Sequence, residues 1–271
     1  MNDITITELL YSDVDQIRYL QPKGWGDITF FFRMYTRCDF CCPIAAVKNG
    51  KIIGVGTGIQ NDDTGWIAHI IVSPEYYKKG IGGKLTEHVM HNLEEKGCKT
   101  QLLIATQMGE KLYEKLGFKT SCVYDFYEPK KLENNFQSKE IRQLRKEDYE
   151  QIIEIDRKVS GEERECMLKM YDIYGKVYED PDVKKIRGYF FPILGEGMII
   201  ATDDEAGLEL LRYKHSRRLS KTTIPESNKT AAEFMESSGF KKVLSAPRMV
   251  FGKEVNWKPE YVYSRIGGHY A

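Results

Sequence analysis

At 271 residues, with 41% hydrophobic and 30% charged side chains and 40 basic residues set against 40 acidic ones, the chain has the make-up of a globular protein with room for two ordinary cores. That balance excludes a disordered or fibrous class and offers no basic surplus for nucleic acid. The opening MNDITITELLYSDVDQIRYL has early acidic residues and no continuous apolar run appears there or elsewhere, so no secretory leader or membrane span is expected and the cytosol is the expected location.

In chain order, Ile4 to Leu9 reads as a short strand, and Ser12-Asp13 as a cap before Val14, Ile17 and Leu20 at helical spacing. Asp27 to Arg37 is an aromatic-rich helix. Pro43 to Val47 and Ile52 to Ile59 flank Asn49-Gly50, a hairpin turn, and Trp66 to Val72 is a further strand. A long amphipathic helix runs from about Gly80 to Lys96, with Ile81, Leu85, Val89 and Leu93 four apart and Gly97 as its stop. Leu102 to Ala105 is a buried strand, Gln107 to Leu116 a helix ended by Gly117, and Phe118 to Tyr127 a strand.

The charged stretch from Glu128 to Lys139 breaks this pattern and predicts a boundary between domains at 1–128 and 139–271. Ile141, Leu144, Asp148 and Ile152 repeat Ile6, Leu9, Asp13 and Ile17 at a constant offset. Ser238-Gly239-Phe240-Lys241 echoes Leu116-Gly117-Phe118-Lys119 in the same order, which predicts an internal duplication.

Six cysteines without an export leader read as reduced thiols. Cys38, Cys41 and Cys42 are not joined by a second Cys/His pair at ligand spacing, so they read as packing residues and no metal is expected.

The chemistry-bearing segment is Ile70-Ile71-Val72-Ser73-Pro74-Glu75-Tyr76-Tyr77-Lys78-Lys79-Gly80-Ile81-Gly82-Gly83-Lys84-Leu85. A buried strand enters a loop of glycines and lysines that opens directly into a helix. Glycines let the backbone approach a ligand, and the helix N-terminus adds unsatisfied N–H donors and the positive end of its dipole, which together make a diphosphate cradle. Lys78, Lys79 and Lys84 add positive charge beside it. A Walker loop is excluded because Lys84 is followed by Leu85, and a dinucleotide fingerprint because Leu85 stands where its third glycine belongs.

Val72-x-Pro74-Glu75, then Lys79-Gly80-Ile81-Gly82 and Leu85, resembles the acetyl-CoA signature of the GNAT N-acetyltransferase superfamily. The strand Leu102 to Thr106, with Gly109 and Leu112-Tyr113-Glu114-Lys115-Leu116-Gly117-Phe118 after it, is similar to the superfamily's second hallmark. The likeness covers about 4–128 and, more faintly, 139–251. It implies an α/β fold with a mixed sheet in each of two tandem GNAT-like domains, and an acetyltransferase that takes acetyl-CoA and a small-molecule or peptide amine.

By that resemblance the amides from Lys79 through Gly80, Ile81 and Gly82 to Gly83 hold the CoA diphosphate, the Ile71 and Val72 backbone pairs with pantetheine, and Tyr113 protonates the departing thiolate. Tyr77 stands where the family usually carries Gln or Arg. Members with a carboxylate base place it early on the preceding strand, where this chain has Trp66 and Ala68. His69 titrates in the right range, but strand alternation sets it on the opposite face unless a bulge intervenes. Asp39, Asp62 and Asp63 are alternative bases or substrate anchors, solvated loop carboxylates being the commoner case.

In the second copy the corresponding strand, Met198 to Ala201, leads into Thr202-Asp203-Asp204-Glu205-Ala206-Gly207, where carboxylates replace the lysines and paired glycines, and Met235 replaces the tyrosine. This copy is expected to keep the fold and lack the site. The expected activity is N-acetyl transfer by direct amine attack, and the competing reading is an acyl-CoA-binding regulatory protein without turnover.

Overall fold

The computed structural model describes residues 4–133, 136–171 and 173–267. Asn134 and Asn135, within the expected boundary stretch, lie outside them. Two compact units divide the chain: the first is Met1–Leu103, Lys111–Lys119 and Val250–Lys253, the second Ile104–Glu110, Thr120–Met249 and Glu254–Ala271.

In the first unit, β1 (Ile4–Glu8), β2 (Cys41–Lys48), β3 (Lys51–Asn61) and β4 (Thr64–Val72) form an antiparallel meander in that order. Asn49 and Gly50, at φ 50° and 75°, make the β2–β3 turn, a pair of positive φ values that suits the twist of a two-residue hairpin. The chain from β1 to β2 passes through a 3-10 helix, Tyr11–Leu20, and α1 (Ile28–Tyr35). Contrary to the expected Ser12-Asp13 cap, the 3-10 helix is preceded by Leu10 with no side-chain cap. It is held instead by the buried Val14, Ile17 and Leu20. Asp27 caps α1, its carboxylate accepting from the Thr29 N–H at 2.9 Å.

After β4 come α2 (Ile81–Glu95), β5 (Thr100–Ile104), parallel to β4, and α3 (Glu110–Lys115). Ile81, Leu85, Val89 and Leu93 are the buried stripe of α2. The helix lies close on β3 because β3 turns glycines toward it: a Cβ on Gly54 would stand 3.1 Å from Leu85, and one on Gly58 3.0 Å from Leu93.

The second unit holds β6 (Lys119–Lys130) beyond its first residue, β7 (Ile141–Gln143), α4 (Tyr149–Ser160), α5 (Glu165–Met170), β8 (Lys176–Glu179), β9 (Ile186–Phe191), β10 (Met198–Ala201), α6 (Asp204–Arg217), β11 (Ser220–Pro225), α7 (Lys229–Ser237), β12 (Lys242–Gly252) as far as Met249, and β13 (Val262–Ser264). The antiparallel meander β7-β8-β9-β10 followed by α6 repeats the order β1-β2-β3-β4 followed by α2. The copies differ at the next neighbour: β4 meets β5 in parallel, whereas β10 meets β13 antiparallel. Tyr178, Ile199, Leu210, Leu211, Met235 and Tyr263 belong to one core cluster. Among the described residues no helix is long and apolar enough to cross a membrane, and all the cysteines are free thiols, with Cys41 buried at the start of β2.

Candidate active site

The loop from β4 into α2 builds a cup of amides. A 3-10 turn, Pro74–Tyr76, brings the chain round, with the Tyr77 N–H donating to Pro74 O at 3.2 Å. Lys78 takes φ 60° and Gly80 φ 78°, so two left-handed residues stand just before the helix. No side chain caps α2. Its first helical bond is Lys84 N–H to Gly80 O at 3.1 Å, and the N–H groups of Ile81, Gly82 and Gly83 precede it, without intrahelical acceptors by the geometry of any helix start. A Cβ on Gly80 would meet nothing within 4 Å, and one on Gly82 would reach only Leu112 and Val72, at 3.8 and 3.9 Å.

Lys78, Lys79 and Lys84 are all exposed, and the Lys79 ammonium donates to Glu75 O at 2.9 Å. The residues present therefore fit a diphosphate: open amides, a helix dipole and nearby positive charge. Positive φ belongs to Gly80 and not to Gly82, which is helical; the role of Gly82 is its missing side chain. Tyr77 is 46% exposed and contributes no charge.

Beside this cup, β4 and β5 diverge. Their parallel register runs only from Thr64↔Thr100 to Trp66↔Leu102, while β4 stays paired with β3 as far as Gly54↔Val72. Among the described residues the β5-facing edge of β4 at Ile71 and Val72 thus has no strand partner, and its peptide groups are available to an extended ligand.

His69 sits on a bulge. The β3–β4 register passes from Thr57↔Ala68 to Val55↔Ile71, leaving Gly56 opposite both His69 and Ile70. His69 takes φ 50°, and a Cβ on Gly56 would stand 2.6 Å from Ile70. Ile70 takes the α2 face, and His69 is turned to the face of Trp66 and Ala68, against α1. Its ring lies 5.0 Å from Phe31, 5.7 Å from Tyr35 and 5.8 Å from Trp25, and its Nδ1 is 2.9 Å from the Tyr35 hydroxyl. The alternation that would have turned it away is broken where the strand leaves β5. Asp62 takes φ 51° in the β3–β4 turn, and the Asp63 carboxylate is 3.6 Å from Lys99, so both are turn residues.

Tyr113 lies on α3, directly after the Leu112 that borders the cup. Its ring is half-buried and meets Phe118 edge-on at 6.1 Å. Burial pushes its phenol up to about 12, so it holds its proton throughout the neutral range.

The same place in the second unit is filled by the protein itself. Asp203 caps α6 by accepting from the Ala206 N–H at 3.0 Å, and Arg187 pairs with Asp203 at 2.8 Å and Glu205 at 2.7 Å. A Cβ on Gly207 would meet the Tyr263 ring at 2.1 Å, and the Tyr263 hydroxyl donates to Asp204 at 2.6 Å. This helix start carries a side-chain cap, its own carboxylates and no room beside Gly207. A charged cleft of about 570 Å³ in this unit is lined by Arg142, Asp148, Glu179 and Lys184, but its Arg142 is already bidentate on Asp148 at 2.7 and 2.8 Å.

Residues 9–118 match the model of the acetyltransferase (GNAT) family, and residues 152–264 match a second acetyltransferase (GNAT) domain. The chain belongs to the GNAT family. This GNAT protein is an acyl-CoA-dependent N-acyltransferase with two tandem GNAT domains. The [ribosomal protein bS18]-alanine N-acetyltransferase of Escherichia coli is 25% identical over 132 residues, spanning 46% of this chain and 87% of that one. A crystal structure from Pyrococcus horikoshii superposes with a TM-score of 0.83 at 19% identity, covering 99% of this chain and 96% of the other. A tandem GNAT protein from the clavulanic acid biosynthesis pathway gives 0.63 at 11% identity, covering 92% and 98%. These two likenesses concern the fold.

Within this GNAT fold the structure brings the amides of residues 79–83, the Ile71–Val72 edge and Leu112-Tyr113 into one unit. Tyr35, which bonds His69, is a residue that sequence patterning did not single out. Its only sign there was its place in the aromatic run that begins at Phe30.

Proposed function

We propose that the first unit transfers an acetyl group from acetyl-CoA to a primary amine by direct attack, and that residues 1–128 carry this activity while 139–271 form the degenerate copy. The observation that carries this reading is the meeting, at one end of β4, of uncapped α2 amides with an unpaired strand edge. Acetyl-CoA supplies a thioester-activated acetyl group. The amides of Lys79 to Gly83 bind its diphosphate, with Lys78, Lys79 and Lys84 adding charge, and the backbone of Ile71 and Val72 aligns the pantetheine arm and the thioester carbonyl.

Attack requires a neutral amine. His69 accepts the proton of the acceptor's ammonium, directly or through water, and Tyr35 fixes its ring. The Tyr113 phenol, kept protonated by burial, donates to the thiolate sulfur. The half-exposed Trp25 beside His69 borders an open cleft of about 440 Å³ lined by Arg18, Gln21, Lys23 and Asp27, which suits the body of a small-molecule or peptide amine. The E. coli relative is named for N-acetylating an alanine of a ribosomal protein, and because the one amine of alanine is its α-amine, peptides with free N-termini head the list of acceptors.

Exposed Tyr77, at the motif position that carries Gln or Arg in the family, favours a second reading: CoA binding without turnover. Incubation with acetyl-CoA and an amine panel separates the two. Amine-dependent thiol release, with CoA bound at one equivalent per chain, supports the transferase; one equivalent of tightly bound CoA and no release supports a sensor; two equivalents contradict the degenerate second copy.

A further inference from the structure

Residues 250–253 fall inside the second GNAT domain by sequence, which spans 152–264, yet they pack as part of the first unit. They enter it closely. The Lys253 N–H donates to Lys99 O at 3.2 Å, and Gly252, at φ 89°, leaves no space for a side chain, since a Cβ would stand 2.2 Å from Lys99 O. Phe251 is thereby laid on the end of α3. Its ring is 5.5 Å from Phe118, and a Cβ on Gly117 would meet it at 3.3 Å. Phe118 is itself the ring that Tyr113 meets edge-on at 6.1 Å.

Outside support matters because α3 has only six residues, none of them fully buried. A helix that short does not hold its own shape in water, so the direction of the Tyr113 ring is set by what packs against it. Phe118, 3% exposed, is one support, and Phe251 closes over Phe118 and Gly117 from the side.

We propose that Phe251, contributed by the C-terminal copy, is a positioning residue for Tyr113, so that the copy without a site still takes part in proton donation. This rests on the reading of Tyr113 as the proton donor. Phe251 touches neither reacting group; it fixes the end of α3 through Phe118 and Gly117.

The test uses full-length Phe251→Ala, Phe251→Tyr, Tyr113→Phe and the double variant Phe251→Ala/Tyr113→Phe. The control is Leu244→Ala, an exposed apolar site elsewhere on β12. CoA affinity is measured by calorimetry, and kcat and KM by thiol release from acetyl-CoA with the best acceptor of a panel of free-N-terminus peptides and small primary amines. A misplaced catalytic group costs about tenfold or more in rate. Phe251→Ala should therefore lose about tenfold in kcat with CoA affinity within roughly threefold of the parent, Phe251→Tyr should recover the rate, and Leu244→Ala should match the parent.

In the Tyr113→Phe background Phe251→Ala should cost nothing further. An equal cost in both backgrounds, or a parent-like kcat for Phe251→Ala beside a slow Tyr113→Phe, overturns the positioning role. A parent-like Tyr113→Phe instead removes the proton-donor reading on which it rests. Phe251→Leu, which keeps volume without the flat face, replaces Phe251→Ala if that variant fails to fold. A readout free of any acceptor is the ¹⁹F resonance of Tyr113 in 3-fluorotyrosine-labelled protein, assigned by its loss in Tyr113→Phe. It should move in Phe251→Ala and return in Phe251→Tyr, and an unmoved resonance contradicts the proposal.

Discussion

The Tyr35 hydroxyl and Nδ1 of His69 are 2.9 Å apart, and both side chains are buried on the α1 face of β4. A base at Nε2 needs its ring proton on Nδ1, and the Tyr35 oxygen stands where it accepts that proton, so the pair is compatible with the working tautomer. Tyr35→Phe removes the hydroxyl of this bond and keeps the ring. We expect a stability loss of about 1–3 kcal/mol in denaturant unfolding, a lower kcat and an unchanged affinity for CoA. A variant equal to the parent in stability and rate would leave the pair without a role.

Gly80 and Gly82 separate conformation from space. Gly82 is helical and its would-be Cβ stands between Val72 and Leu112 at the mouth of the cup, so Gly82→Ala should gain up to about 1 kcal/mol of helix propensity. The same methyl should weaken CoA binding roughly tenfold, or about 1.4 kcal/mol. Gly80→Val should cost about 1–2 kcal/mol of stability because of its left-handed backbone, with no neighbour to clash against. Calorimetry and thermal unfolding check both variants; a Gly82→Ala protein with parent-like CoA affinity would move the cofactor elsewhere.

The second unit carries a pH signature. Lys214 is 1% exposed, with its ammonium 2.8 Å from Ser264 Oγ and 3.3 Å from Gly197 O, and burial lowers it to about 7, with Arg218 and Lys221 opposing Glu196. Its unfolded value is about 10.4, so between these values the unfolded chain holds a proton that the folded one does not. Stability should therefore rise with pH across roughly 7 to 10, by an amount on the order of a few kcal/mol, and be lost as pH falls back through that window. Lys214→Met should be more stable than the parent at pH 7 and nearly flat across the window. Parallel stability curves for the two proteins would show that Lys214 is not the cause.

Much of this architecture could be read from local patterns. Ile81, Leu85, Val89 and Leu93 announced α2 because helix periodicity survives in a single chain segment, and Asn49-Gly50 announced its hairpin through turn chemistry alone. The glycine-lysine loop was legible for the same reason. The side-chain direction of His69 was not, because it depends on a register shift set by Gly56, a residue of another strand. The closure of the second helix start was legible in its carboxylates but not in Tyr263, which reaches Gly207 from far along the chain. Val250–Lys253 belong to one copy by sequence and to the other unit by packing, and no local pattern records which partner a strand will choose.

If Tyr113 gives its proton to the departing thiolate while acetyl-CoA lies against α2, the kinetics of Tyr113→Phe must show it. With the phenol pushed up to about 12, the parent keeps this proton at every practical assay pH, so the variant should be slower at all of them. General acids contribute ~10²–10⁴-fold, and a thiol is a fair leaving group, so a loss near ~10²-fold in kcat is expected, with CoA affinity in calorimetry unchanged. Turnover equal to the parent at every pH would rule out proton donation by Tyr113 and leave it as a packing residue on α3.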